Sequence, residues 1–175
     1  MALRTVMIFP ELSGMRAVDA LRRRYDPLAA LVRPHITLVF PFESGMSDDE
    51  LADILSQAAE DVAPFALRLQ GFSEETGERY LFLNVTKGAG PLALLHERLY
   101  AGRLAPFDAG RAYVPHMTVG HLPDARALHA AHAQASRCTR AFDADVTHIY
   151  AERIGENGES IVILEQALRG RKTKE

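Results

Sequence analysis

The chain has 175 residues, 47% of them apolar, and 20 basic against 23 acidic side chains for a formal net charge of −3. That is enough apolar material for one compact domain, or two small lobes sharing a core, and too much for intrinsic disorder. The charge balance argues against a general binder of long nucleic acid. The lone Cys138 rules out a disulfide framework, and no apolar run nears the roughly 20 residues that span a bilayer.

The opening "MALRTVMIFPEL" lacks a small-residue cleavage site and reads as a first strand, Thr5 to Phe9, closed by Pro10. With no leader or membrane segment expected, the cytoplasm is the expected location and a monomer the default state. Met15, Val18 and Leu21 recur at helical spacing from Gly14 to about Tyr25. Arg22, Arg23 and Arg24 suit the negative end of that helix dipole and are expected on a solvated face. Asp26-Pro27 breaks the helix.

"PHITLVFPF" reads as a strand ending at Pro41. Ser47, three residues before Glu50, forms a capping-box signature that opens a helix through about Val62. "PFALRLQGF" and "RYLFLNVT" read as strands joined by a turn near Thr76-Gly77. Pro91 opens "PLALLHERLYAG", a helix that Gly102 can end. A loop with Pro106, Gly110 and Pro115 leads into the strand "HMTVGH", and Pro123-Asp124 opens an Ala-rich helix. Two last strands, "FDADVTHIYAERI" and "SIVILEQAL", flank a turn at Glu156-Asn157-Gly158, and "GRKTKE" reads as a solvated tail.

Two words recur. "PHITLV" begins at Pro34 and "PHMTVG" 81 residues later at Pro115, and the Gly77-Glu78 and Gly158-Glu159 turns share the same offset. Each His motif is followed by a helix and then a strand beginning near a Phe, Phe65 or Phe142. The expectation is a duplicated α+β architecture: one bilobal unit over residues 1–175, two pseudo-symmetric lobes of mostly antiparallel sheet packed with helices, and a groove between them.

Side chains two apart on a strand share a face, about 6–7 Å apart. His35 and Thr37 therefore point one way, opposite Ile36, Leu38 and Phe40, and His116 and Thr118 point together, opposite Met117 and Val119. If the lobes face each other, two imidazoles and two hydroxyls converge. Near neutrality one imidazole can take a proton while the other gives one. Threonine hydroxyls can donate to non-bridging phosphate oxygens, and positioning plus electrostatics is most of what phosphoryl transfer requires. No metal and no cofactor is called for.

The remaining histidines carry less. His129 and His132 sit three apart on a helix but lack a third ligand, so they are expected in solvent rather than on a metal. His96, beside Glu97 and Arg98, is expected at the surface, and His148 in strand packing. His121 stands an odd five residues past His116, which turns it from the groove unless it reaches the rim. Tyr80, Tyr113 and Phe42 are candidates to face a base, and Arg111 to meet a phosphate.

At His35-Ile36-Thr37 and His116-Met117-Thr118 the chain resembles the two-histidine (2H) phosphoesterase superfamily. Its members include 2′-5′ RNA ligase-like proteins and 2′,3′-cyclic phosphodiesterases. The surrounding text "RPHITLVFPFE", "YLFLNVTKG", "HERLYAG" and "PHMTVGHL" carries the resemblance across most of the chain. It implies a metal-independent phosphodiesterase acting on a cyclic phosphate or 2′-5′ linkage of a nucleotide or short RNA end, with His35 and His116 as acid and base and Thr37 and Thr118 binding phosphate. Members close to this sequence often have Arg where His121 stands, so anion binding at that position would be weaker or pH-dependent. The alternatives are a nucleotide or RNA-end binder of the same fold with little turnover, and ligation. The absence of a P-loop makes ligation the less favoured direction.

Overall fold

The computed structural model describes residues 2–170; the expected solvated tail falls almost wholly outside them. In chain order the elements are β1 (Ala2–Ile8), α1 (Met15–Tyr25), β2 (Ile36–Ser44), α2 (Asp48–Ala59), β3 (Glu60–Asp61), β4 (Phe65–Glu75) and β5 (Tyr80–Lys87). Then come α3 (Ala89–Tyr100), a 3₁₀ turn (Ala105–Phe107), β6 (His116–His121), α4 (Ala125–Ala135), β7 (Phe142–Val146), β8 (His148–Ile154), β9 (Ser160–Ala167) and β10 (Arg169–Gly170).

The strands form two four-stranded antiparallel sheets, ordered β2-β1-β8-β9 and β6-β5-β4-β7, plus the short parallel pair β3–β10. The architecture is α+β with two lobes, as expected. Each His motif lies on or next to an edge strand of its own sheet, β2 or β6, and these two strands come into contact with each other. Helix α1 packs on β6 and α3 packs on β2, so each lobe's first helix braces the other lobe's His strand. At Gly120 a Cβ would lie 2.9 Å from Cβ of Tyr25, so a small residue is what lets α1 close on β6.

Local chemistry sets the helix starts. Ser47 and Glu50 form the full capping box: the Ser47 side chain accepts from the Glu50 amide at 3.2 Å and the Glu50 carboxylate accepts from the Ser47 amide at 2.8 Å. Asp124 caps α4 by accepting from the Ala127 amide. Helix α3 begins at Ala89, two residues before the expected Pro91, because Gly88 adopts φ 93 where a Cβ would come within 2.9 Å of the Ala66 carbonyl oxygen. Helix α2 stops at Ala59 rather than near Val62, and the chain turns through Asp61 at φ 59.

Three further expectations are corrected. Strand β2 runs past Pro41 to Ser44, since a strand at a sheet edge needs no ladder donor from its proline. "FDADVTHIYAERI" is two strands: β7 completes one sheet and, after Thr147, β8 enters the other. The repeat therefore has different bounds. The matching halves are β1–α1–β2–α2 and β5–α3–β6–α4, whereas β5 lies beside its His strand and β9 lies at a far edge. Phe65 and Phe142 belong to neighbouring strands of one sheet, with Leu69 opposite Phe142.

Arg22 is also not solvated. Only 2% of its side chain is exposed, and it binds Asp26 at 2.8 Å and the Val32 carbonyl at 2.8 Å. It ties the last turn of α1 to the segment that leads into His35.

Candidate active site

His35 precedes β2 and His116 opens β6, and both are partly buried at a groove of about 640 Å³. Their rings are held alike. Nδ1 of His35 lies 2.8 Å from the Arg33 carbonyl oxygen, and Nδ1 of His116 lies 2.7 Å from that of Val114. An imidazole that donates from Nδ1 to a carbonyl keeps its lone pair on Nε2 when neutral and carries a proton there when charged. Each ring can thus work through Nε2 as base or as acid without turning over. Phe82 stacks on His116 with centroids 3.7 Å apart, and Phe9 meets His35 edge-on at 6.4 Å.

Both imidazoles are shifted below the ordinary histidine value, chiefly by burial. Opposing this, the carbonyl bonds from Arg33 and Val114 favour the charged rings. For His35 the Arg22 guanidinium pushes further down, Asp26 pulls back up, and His116 itself disfavours a second positive charge. That last and smallest contribution makes the doubly charged pair the least favoured of its protonation states.

Thr37 and Thr118 line the same groove, each two residues past its histidine. The free edge of β2 is satisfied by side chains rather than by another strand. The Tyr113 hydroxyl donates to the Thr37 carbonyl (2.8 Å), His96 Nδ1 to the Leu38 carbonyl (2.7 Å), and the Phe40 amide donates to the Tyr100 hydroxyl (3.1 Å). His96 is therefore buried, 8% exposed, contrary to the surface position expected from its charged neighbours. Packing of α3 against β2 overrides the local composition. Burial also drives the Tyr113 phenol well above its usual range, so it remains a donor.

Of the residues singled out as substrate contacts, Tyr80, Tyr113, Arg111 and His121 line the groove. Phe42 does not: it is 3% exposed and packs on Phe107 at 5.1 Å. Simple alternation from His35 already puts Phe42, seven residues on, on the core face; the bulges in the strand change the place of Phe40 instead. In β2, Met7 pairs with Thr37 but Val6 pairs with Val39 and Arg4 with Phe42, so extra residues are accommodated and the face alternation slips. Leu38 and Val39 are both buried, Phe40 turns into the groove and Phe42 turns into the core. Strand β6 carries the counterpart: Phe82 pairs with Thr118 and Leu81 with Gly120, and the slip returns His121 to the groove, where it stacks on Tyr80 at 4.6 Å.

Sequence reasoning missed Phe40, Phe82, Asn84 and Ser73. The alternation in "YLFLNV" carried a signal for two of them, since Leu81 and Leu83 are fully buried and Phe82 and Asn84 face the groove. Asn84 is oriented by the Ser73 hydroxyl, which donates to its carbonyl oxygen at 2.7 Å.

His129 and His132 both lean on Glu74, at 2.5 and 3.1 Å, and His132 also meets the Phe72 carbonyl through Nε2. His129 is exposed, as expected, while His132 is half-buried. Among the described residues no group of three His, Cys, Asp or Glu side chains is placed to hold a metal ion. No described helix is long and apolar enough to cross a membrane.

Residues 9–158 match the family model described as the 2′-5′ RNA ligase superfamily. A Bacillus licheniformis protein named "Putative phosphoesterase" is 32% identical over 117 residues, covering 65% of this chain and 68% of that one. A Bacillus cereus protein of the same name is 35% identical over 121 residues, covering 66% and 67%. Among solved structures, E. coli LigT complexed with 3′-AMP superposes with a TM-score of 0.65 at 16% identity, over 95% of this chain and 98% of that chain. A Thermus thermophilus protein, TT0787, does so with 0.65 at 20% identity, over 97% and 100%.

Proposed function

The chain belongs to the 2′-5′ RNA ligase superfamily, a family of phosphoesterase fold, and from that premise we propose that it hydrolyses a 2′,3′-cyclic phosphate or 2′-5′ phosphodiester at a nucleotide or RNA end without a metal. The observation that carries this reading is the matched pair of imidazoles, each fixed through Nδ1 to the carbonyl two residues before it.

In this mechanism one Nε2 removes a proton from water as the water oxygen attacks phosphorus. The opposite Nε2–H gives its proton to the departing ribose oxygen as the P–O bond breaks, leaving a phosphomonoester and a ribose hydroxyl. The hydroxyls of Thr37 and Thr118 donate to the non-bridging oxygens, where negative charge accumulates. The two sites are alike, so either histidine can lead, according to which ribose oxygen leaves. Phe40, Tyr80, Phe82 and Tyr113 supply apolar faces for a nucleoside. LigT has been solved with 3′-AMP, which has the form of a product of such a reaction and supports a nucleotide as occupant of the corresponding groove here.

The test is a panel of 2′,3′-cyclic and 2′-5′-linked nucleotides assayed in excess EDTA. Turnover of at least one class, undiminished by the chelator, is expected. Activity that disappears with EDTA and returns with a divalent cation contradicts the metal-free mechanism.

A further inference from the structure

The groove does not end at His121. On the other side of that ring lies a second hollow of about 480 Å³, lined by Arg23, Arg24 and Arg79, with His121 and Asp26 shared between the two spaces. Arg23 and Arg24 are exposed on the last turn of α1. Arg79 comes from the β4–β5 turn, where it adopts φ 64, and its Nε donates to the Leu122 carbonyl at 3.2 Å. The Leu122 amide donates back to the Arg79 carbonyl at 3.0 Å, so this arginine is pinned to the end of β6.

The charge of the hollow is one-sided. Its one carboxylate, Asp26, is already engaged by the Arg22 guanidinium and the Leu28 amide. Glu75 and Glu78 line the catalytic groove rather than the hollow, and the Glu75 carboxylate is taken up by the Gly77 and Glu78 amides. The C-terminal end of α1 contributes about half a negative charge, against three guanidinium groups. A concentration of arginine beside a phosphoester groove suits a second phosphate.

We propose that this hollow is a second anion subsite, which receives a phosphate flanking the one at His35 and His116. The preferred substrate is then a nucleotide carrying a further phosphate, such as a 5′-phosphorylated or oligonucleotide end, rather than a bare cyclic mononucleotide. This inference rests on the reading of the groove given above. His121, stacked on Tyr80, forms the wall between the two sites and sets the direction in which the chain of phosphates leaves.

The test is calorimetric titration of the protein with adenosine 3′-monophosphate and with adenosine 3′,5′-bisphosphate, which reads binding without turnover. The bisphosphate is expected to bind at least about tenfold more tightly, the scale of one charge-assisted hydrogen bond to phosphate. That advantage should fall toward one in the surface double variant Arg23→Ala/Arg24→Ala, shrink in Arg79→Gln, and weaken as salt is raised. Equal affinities in the wild type, or an advantage that survives both variants, overturns the subsite alone. Failure of both nucleotides to bind overturns the groove reading and the subsite with it.

Discussion

The ring of Tyr113 lies flat on that of His96, with centroids 3.9 Å apart and planes 7° from parallel, while each donates to a carbonyl of the same edge strand. The pair closes the open side of β2 beside Thr37, where another protein would place a strand or water. Replacing His96 by Leu leaves the buried Leu38 carbonyl without its donor and is expected to cost about 1–3 kcal/mol of stability, read by urea unfolding. Tyr113→Phe keeps the stack and loses only the bond to Thr37, so its loss should be smaller, about 1 kcal/mol. Equal stabilities for wild type and His96→Leu would show that the edge finds other partners.

Thr37→Val and Thr118→Val preserve shape and remove one hydroxyl each. If these hydroxyls meet non-bridging oxygens as charge develops, kcat should drop about 100-fold in each variant with a smaller change in KM. Serine at either position should restore most of the rate. A rise in KM at constant kcat would instead mark the hydroxyls as contacts made equally in the ground state.

The pH profile has a defined sign. Both imidazoles are lowered below 6.5 in the empty groove, mainly by burial, and the proposed mechanism requires one charged and one neutral ring. The optimum of kcat/KM, which reports the free enzyme, should therefore lie on the acid side of 6.5 and decline as pH rises through neutrality and the proton donor is lost. A bound phosphate favours the imidazolium, so the kcat optimum should sit higher. The two limbs belong to the coupled pair and not to single residues. A kcat/KM optimum above about pH 7 would contradict the burial argument.

Arg22 and Asp26 are each almost wholly buried, with side chains 2% and 5% exposed. Arg22→Met strands the carboxylate and the Val32 carbonyl, and is expected to destabilise the fold by about 3–5 kcal/mol. A loss below about 1 kcal/mol would mean that the segment before His35 is held by other contacts.

The sequence made the fold class legible because periodicity, caps and turn residues are local. It placed the capping box at Ser47 and Glu50, the β4–β5 turn, and the two His-x-Thr faces, each set by residues a few positions apart. What escaped it depends on register. The bulges after Thr37 and Thr118 come from pairing with β1 and β5, and they alone bring Phe40 and His121 into the groove. His96 was misplaced for a related reason, since α3 packs on a strand from the other half of the chain. The identical Gly-Glu turns were a poor guide to the repeat, because one hairpin lies beside its His strand and the other lies at the far side of its sheet.

The central claim is that His35 and His116 act as one acid–base pair. Single-turnover hydrolysis of a nucleoside 2′,3′-cyclic phosphate by wild type, His35→Ala and His116→Ala, all in excess EDTA, tests it most directly. Each variant should lose at least about 100-fold in rate, and the double variant little more than either single one, since half of the pair has no function alone. A variant that retains a rate within a few-fold of wild type would remove its histidine from the mechanism and contradict the account.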